Sequence, residues 1–267
     1  MNLTSRSKNK IVAQYIQARD LSRNEIEELE KLVHEIDPSL PENHVQKNHL
    51  ERYEGEFYLI RMNEELVAAV SYSCIWVQDK KSKRKVLVSI GELAYRKNRK
   101  EIKKVVGQIS FKHIKRQLGV FWMFKKFAAI AITVNPRVYV QFNSFFPVVH
   151  PQLNENTPST TRSFLKDLLL QHYGSSPKLT EKLIVESNSI FVNRTDVSDK
   201  YESYYKTKDA LINDFFVFNG VHLKQGNTSQ ISNKSVLIMG YYSPAGYLKK
   251  KIGMYTKNPE LECLTKK

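Results

Sequence analysis

A mixed α/β architecture (α+β by a stricter scheme) is expected of this 267-residue chain: a mostly antiparallel, twisted sheet flanked by helices. Three features carry that expectation. Apolar runs rich in β-branched and aromatic residues are joined by short polar links, the pattern of hairpins. Between them lie segments with apolar residues at helical spacing, opened by capping residues. One passage, from "VLVSIGELAY" through a basic helix to the uninterrupted apolar run "FAAIAITV", has the form of a parallel crossover. With 41% hydrophobic and 26% charged residues and few Gly or Pro, the composition is that of a globular protein.

The elements follow in order. Residues 1–20, polar and basic, read as a loose arm or a short first strand at "KIVAQYI". Ser22 and Glu25 make a capping box, and Ile26, Leu29, Leu32, Val33 and Ile36 continue at helical spacing until "DPSLP" stops the helix. A second, shorter helix is expected over residues 44–52. "FYLIRM" and "LVAAVSYSCIWV", linked by "NEE", form a hairpin, and "VLVSIGELAY" a further strand. Ile102, Val105, Val106, Ile109 and His113 then line one face of a helix whose other face carries Arg99, Lys100, Lys103 and Lys104. "FAAIAITV" suits a strand buried on both faces. Asn135 and Pro136 fit the cap and first position of the next helix, which Pro147 and Pro151 close. In the last third, residues 158–161 open a helix holding Phe164, Leu165, Leu168 and Leu169, ended by Gly174, and "KLIVESNSIFV" adds a short strand. "DFFVFNGVHL" and "SVLIMGYY" are expected to pair antiparallel across "KQGNTSQISNK", with a loosely docked basic tail from Ser243.

Charge and motifs bound the function. With 42 basic against 27 acidic residues the net charge is +15, which favours an anionic partner such as nucleic acid, an anionic membrane face or a phosphate-bearing cofactor. Cys74 and Cys263 are the only cysteines, no apolar leader opens the chain, and "FAAIAITV" is too short to span a bilayer; the expectation is a reduced, cytoplasmic protein without a transmembrane segment. The seven His residues show no metal-binding spacing, so no metal is expected. Serine hydrolase, P-loop and dinucleotide-binding motifs are absent. "KKSKRK" reads as a charged hairpin loop and "GYYSPAGY" as a strand end followed by a turn. His113, on the apolar side of its helix, reads as a satisfied semi-buried residue rather than a ligand.

The stretch "GELAYRKNRKEIKKVVGQISFKHIKRQ" places six Lys or Arg among residues 96–104, at a strand-to-helix turn. A helix N-terminus already presents unpaired N–H groups, so the turn reads either as a solvated basic face or as an anion site. With "YLIRMNEELVAAVSYSCIWV" and "AITVNPRVYVQF" on either side, residues 22–148 resemble the GNAT superfamily of acyl-CoA-dependent N-acyltransferases. The resemblance implies a single GNAT-like domain over 1–267, with 22–148 as its core and 149–267 completing the sheet and the acceptor side. It implies acetyl-CoA or a longer acyl-CoA as co-substrate, held along Leu93 and Tyr95 and over the turn Arg96, Lys97, Asn98, Arg99 and Lys100, with Asn135 opposite. Glu92 would be the general base toward an amine acceptor, and Tyr139 would stand in as the acid.

Two positions depart from the family pattern. The Q/R-x-x-G-x-G/A loop has Arg96 at its first position but Arg99 and Glu101 where small residues belong, so side-chain cations would replace a backbone cradle. The family's acidic Tyr falls on Phe142, and Tyr139 lies one turn earlier. The reading is therefore an acyltransferase acting by direct attack. The alternative is a non-catalytic protein on the same scaffold, holding nucleic acid or another anion on its basic surface.

Overall fold

The computed structural model describes residues 10–36, 40, 42–51, 55–79, 85–96, 100–174, 177–186, 205–225, 228–252 and 264–265. Side chains are described for these except at 48, 79, 92–96, 100, 101, 103, 224, 225, 228–230 and 264–265. The loop "KKSKRK" lies outside the described residues apart from Lys85, which is exposed.

Strand β1 (Ile11–Gln17) pairs antiparallel with β2 (Glu56–Met62). Between them the capping box closes as its residues require: Ser22 N and Oγ donate to Glu25 Oε2 at 2.9 and 2.7 Å, and Glu25 N donates back to Ser22 Oγ at 3.3 Å. Helix α1 (Arg23–Ile36) follows and buries Leu29, Leu32 and Val33 against Phe57, Leu59, Leu66 and Ala69. Each such side chain contributes about 1.5–3 kcal/mol. The second helix expected over 44–52 is a single π-helical turn, Gln46–Leu50. β2 reverses into β3 (Glu65–Asp79) through Asn63 and Glu64, both at positive φ (51° and 71°), the turn whose twist matches a right-handed hairpin.

β3 pairs on its other flank with β4 (Lys85–Arg96). Helix α2 (Lys100–Leu118) crosses back, and β5 (Phe127–Thr133) lies parallel to β4, the crossover the sequence pattern required. Helix α3 (Pro136–Phe145) begins where expected, with Asn135 Oδ1 accepting from Arg137 N at 3.0 Å. Strand β6 (Val148–His150), helix α4 (Ser159–Tyr173) and strand β7 (Ile184–Glu186) follow, α4 ending at Gly174 in the left-handed region.

The last third departs from expectation. "DFFVFNGVHL" is mostly helix α5 (Ala210–Phe218), capped by Asp209, whose side chain accepts from Ile212 N at 3.3 Å. Ile212, Phe215 and Phe216 bury one face, and Gly220 at φ 68° ends the turn before β8 (His222–Gln225). β8 pairs with β9 (Thr228–Ile231) in a separate hairpin, not with the following strand. That strand, β10 (Lys234–Tyr242), enters the main sheet. Ser243 and Pro244 then open α6 (Pro244–Lys251), and β11 (Leu264–Thr265) pairs with β3.

The nine-stranded sheet runs β1-β2-β3-β4-β5-β10-β6, with β11 on β3 and β7 on β10. Alternate residues along each strand serve opposite layers. Val86, Val88 and Ile90 of β4 meet Phe164, Leu165, Leu168 and Leu169 of α4. Leu87 meets Ile114 and Leu118 of α2 in a cluster shared with Tyr139 of α3 and Phe215 of α5. Helices α1 and α4 thus cover one face and α2, α3 and α5 the other. β10 seats itself in the sheet through Gly240, where any Cβ would overlap the ring of Phe146. Gly240→Ala is therefore expected to destabilise by about 1–3 kcal/mol. A urea denaturation midpoint unchanged from the parent chain would contradict this packing.

Candidate functional site

The sheet divides between β4 and β5. The two pair in parallel from Leu87–Phe127 to Gly91–Ala131 and no further. Beyond that point β4 stays with β3 out to the Arg96–Ala68 pair, while β5 stays with β10 out to Thr133–Val236. Strands that keep to different neighbours open a wedge between them. Its origin lies in β4, whose register on β3 jumps from Gly91–Tyr72 to Leu93–Ser71, leaving Glu92 without a partner. A bulge bends its strand and increases the local twist, and this one falls directly after the last β4–β5 pair.

Both following helices start at the open end. α2 begins at Lys100, shortly past the end of β4, and α3 begins at Pro136, shortly past the end of β5. Because the strands are parallel, their carboxyl ends and both helix N-termini rim the same opening, where unpaired N–H groups carry partial positive charge. The β5 rim is well held. Asn135 N donates to Thr133 Oγ1 at 2.9 Å, Asn135 Oδ1 caps α3, and His222 Nε2 donates to the Val134 carbonyl at 2.8 Å.

The residues singled out from the sequence distribute as follows. Glu92 is the bulge; Leu93, Tyr95 and Arg96 continue β4 along one wall of the wedge; Lys100 opens α2. Their side chains, and all of Lys97, Asn98 and Arg99, lie outside the described residues. Asn135 stands at the opposite rim. Tyr139 does not join them. It is 4% exposed, and its O–H donates to the Pro151 carbonyl at 2.7 Å. Burial, with the charge of Asp209 adding, pushes this phenol up to about 12. Phe142 packs in the same cluster.

A second group of polar side chains lies between α2 and the sheet. His113 is fully buried and links side chains of three strands: its Nδ1 faces Glu56 Oε2 at 3.3 Å, and its Nε2 lies 3.1 Å from Ser89 Oγ and 3.4 Å from Cys74 Sγ. The Nδ1–Oε2 approach is off the ideal hydrogen-bond line, and neither atom has a better partner. Gln117 Nε2 donates to Glu56 Oε1 at 2.8 Å, and the ring of Tyr72 stacks on His113 at 4.3 Å. Burial opposes ionisation of Glu56, but the hydrogen bond and charge of His113, with hydrogen bonds from Tyr15 and Gln117, hold its carboxyl below the usual range. Burial, with the charge of Glu56 adding, pushes the Cys74 thiol up to about 12.

The connectivity is that of nucleophile, base and carboxylate, but the setting does not suit catalysis. Ser89 and His113 are sealed from solvent. Thirteen residues of helix, about 20 Å at 1.5 Å per residue, separate His113 from Lys100 at the start of α2, while Ser89 lies two residues before Gly91, below the point where the wedge opens. Its work is structural: it fixes the pose of α2 on β2, β3 and β4. The sequence reading of His113 as a satisfied, semi-buried residue falls short: it is fully buried, and its Nδ1 meets Glu56 only at an off-line 3.3 Å, while Glu56, Ser89 and Cys74 carry no local signal of a shared partner. The tyrosines of "GYYSPAGY" likewise belong to packing, with Tyr241 and Tyr242 buried in β10 and Tyr247 against Tyr242. Among the described residues no group of three or more His, Cys, Asp or Glu could hold a metal ion, and no helix is long and apolar enough to cross a membrane.

Comparison with protein-family models finds no match, and comparison with curated proteins finds none. Among solved structures, the chain is similar to an acyl-CoA N-acyltransferase from Pseudomonas aeruginosa (14% identity, 54% of this chain and 90% of that chain covered, TM-score 0.36). It is also similar to Escherichia coli ElaA (18%, 50% and 86%, 0.34). A GNAT family acetyltransferase from Elizabethkingia anophelis with acetyl-CoA bound matches at 10% identity over 88% of this chain and 100% of that one, with a TM-score of 0.37. Likeness at this level carries no argument about what the chain does.

The anchoring group makes a pH-dependent prediction. A carboxyl held below its unfolded value adds stability that is fully present above the unfolded pKa, about 4.3, and is lost as pH falls through the folded value. Glu56→Gln is expected to lower unfolding free energy at neutral pH by about 1–3 kcal/mol and to flatten the loss of stability on the acid side. Urea titrations at several pH values check both, and parallel acid limbs for the two proteins would contradict the assignment.

Proposed function

We propose that the chain is an N-acyltransferase that moves an acyl group, most simply acetyl, from acyl-CoA to an amine acceptor. The observation that supports this best is the wedge between β4 and β5, rimmed by two helix N-termini and opened by the bulge at Glu92. In α/β sheets, ligands bind in crevices at the carboxyl ends of parallel strands, and a phosphate-bearing ligand suits a helix N-terminus. The two walls of a wedge also allow an acyl donor and an amine to enter from opposite sides and meet.

Acyl-CoA supplies an activated acyl carbon and a thiol leaving group. The chain's own residues do the rest. The first-turn N–H groups of α2, together with Arg96, Lys97, Asn98, Arg99 and Lys100, hold the diphosphate. The cations stand in for the glycines that this turn lacks. Leu93 and Tyr95 flank the arm that reaches the thioester, and Asn135 borders it from the other side. Glu92 takes the proton from the acceptor ammonium, so that the free amine attacks directly in a ternary complex. Tyr139 has no part in this scheme, because its proton is committed to the Pro151 carbonyl; the departing thiol draws its proton from solvent. Nor does a covalent acyl-enzyme enter, since the Cys74 thiol is a weak acid in the anchoring group behind the sheet. In this reading residues 149–267 complete the acceptor side of a single unit built on 22–148.

Acetyl-CoA at a hundred times its Kd should stabilise the protein by about 2.7 kcal/mol, seen as a rise in Tm, and Arg96→Glu with Arg99→Glu should abolish the rise. Glu92→Gln should keep the rise while lowering kcat about 10²–10⁴-fold in an acetylation assay with a primary amine panel. No response to acetyl-CoA or a longer acyl-CoA, with steeply salt-dependent binding of an oligonucleotide, would instead assign the basic turn to a non-catalytic anion-binding protein.

A further inference from the structure

At the end of the sheet opposite the wedge, the geometry points to a docking surface for an anionic lipid bilayer. β5 begins there at Phe127 and its partner β10 ends there at Tyr242. The loop from α2 to β5 and helix α6 meet at this end: Tyr242 O–H donates to the Met123 carbonyl at 3.1 Å, and the Tyr247 ring of α6 lies 5.4 Å from that of Tyr242. The two segments form one surface.

That surface is apolar and held outward. Val120, Phe121, Met123 and Phe124 are 73%, 68%, 53% and 74% exposed. Trp122 between them turns inward, its ring 6.2 Å from that of Phe127 and 6.1 Å from that of Tyr242, and so fixes the loop as a short 3-10 turn. Leu248 and Ile252 extend the patch on the α6 side, at 63% and 61% exposure. Lys250 secures α6 by donating to the Phe146 carbonyl at 2.7 Å. A patch of this kind marks an interaction site, because water pays nothing back for so many clustered apolar side chains.

The charge on its own segments is of one sign. Lys112 and Lys115 on α2 and Lys249 and Lys251 on α6 are exposed beside the apolar residues. No Asp or Glu occurs in residues 112–127 or 240–252, the segments that carry the patch, and the acidic residue Asp79 at this end of the sheet ends β3, two strands away from β5. The occupant must therefore be both apolar and negative. A second copy related by a two-fold axis would set these lysines against themselves. An oligonucleotide would meet the charge but offer no apolar interior to Val120, Met123, Leu248 and Ile252. A bilayer with anionic headgroups meets both demands: the apolar side chains enter the headgroup boundary and the lysines sit among the phosphates. Docked this way, the chain turns its wedge toward the aqueous side.

Co-sedimentation of the full chain with phosphatidylcholine vesicles, and with vesicles also containing phosphatidylserine, tests this. The expected result is partition onto the anionic vesicles that weakens with added salt. Phe121→Glu with Phe124→Glu should reduce it about tenfold or more with Tm unchanged. Lys249→Ala with Lys251→Ala should give a smaller loss, confined to anionic vesicles. Failure to partition onto either vesicle, or partition untouched by the double Phe change, would overturn the proposal. So would a dimer on size-exclusion chromatography that the same Phe change dissolves, or an oligonucleotide affinity that it abolishes.

Discussion

Between Gly91 and Ala131 the hydrogen-bonding partnership of β4 and β5 ends, and most of what distinguishes this molecule follows from that break. Each strand remains bound on its outer side, β4 to β3 and β5 to β10, so the sheet stays continuous below the break and parts above it. An unpaired stretch of sheet edge would ordinarily be a liability. Here the two helices that follow the strands bring their N-termini to the same place. The bulge at Glu92 supplies the bend without disturbing the pairing of β3 and β4 on either side of it.

A wedge of this kind works only if the helix at its mouth is held still. α2 has three buried or part-buried aliphatics toward its start, and further along it is tied down by His113. Placing His113 and Glu56 between helix and sheet carries a desolvation cost, which the contacts to Ser89, Cys74, Gln117 and the stacked Tyr72 offset. An apolar core at the same place could be as stable, but it would permit α2 to slide. A shift of one residue would separate His113 Nε2 from Ser89 and Cys74 and Glu56 Oε1 from Gln117, leaving buried polar groups without partners.

The two ends of the sheet have different chemistry. The carboxyl ends of β4 and β5 gather backbone donors and a basic turn around an opening. The other end gathers exposed aromatic and aliphatic side chains among lysines, with no acidic residue in the two segments that carry them. The proposed partners of these ends differ accordingly, a small phosphate-bearing ligand at the first and an anionic bilayer at the second.

Local rules were legible wherever a side chain acts on its own backbone. The Ser22–Glu25 box, the Asn135–Pro136 start of α3, the Gly174 stop and the tight turn after β2 are all decided within a few residues, and all were readable. The parallel crossover was readable too, because strand, helix and strand follow one another directly. The stretch from Asp214 to Leu223 was not: nearly every residue is apolar, so neither a two-residue nor a helical period stands out, and burial in the cluster of α3 and β10 decides for helix. The insertion of β10 between β5 and β6, the break after Gly91 and the meeting of Glu56 with His113 each join residues far apart in the chain. Local preference cannot select among distant partners, since which ones meet depends on how the whole set of apolar faces is buried at once.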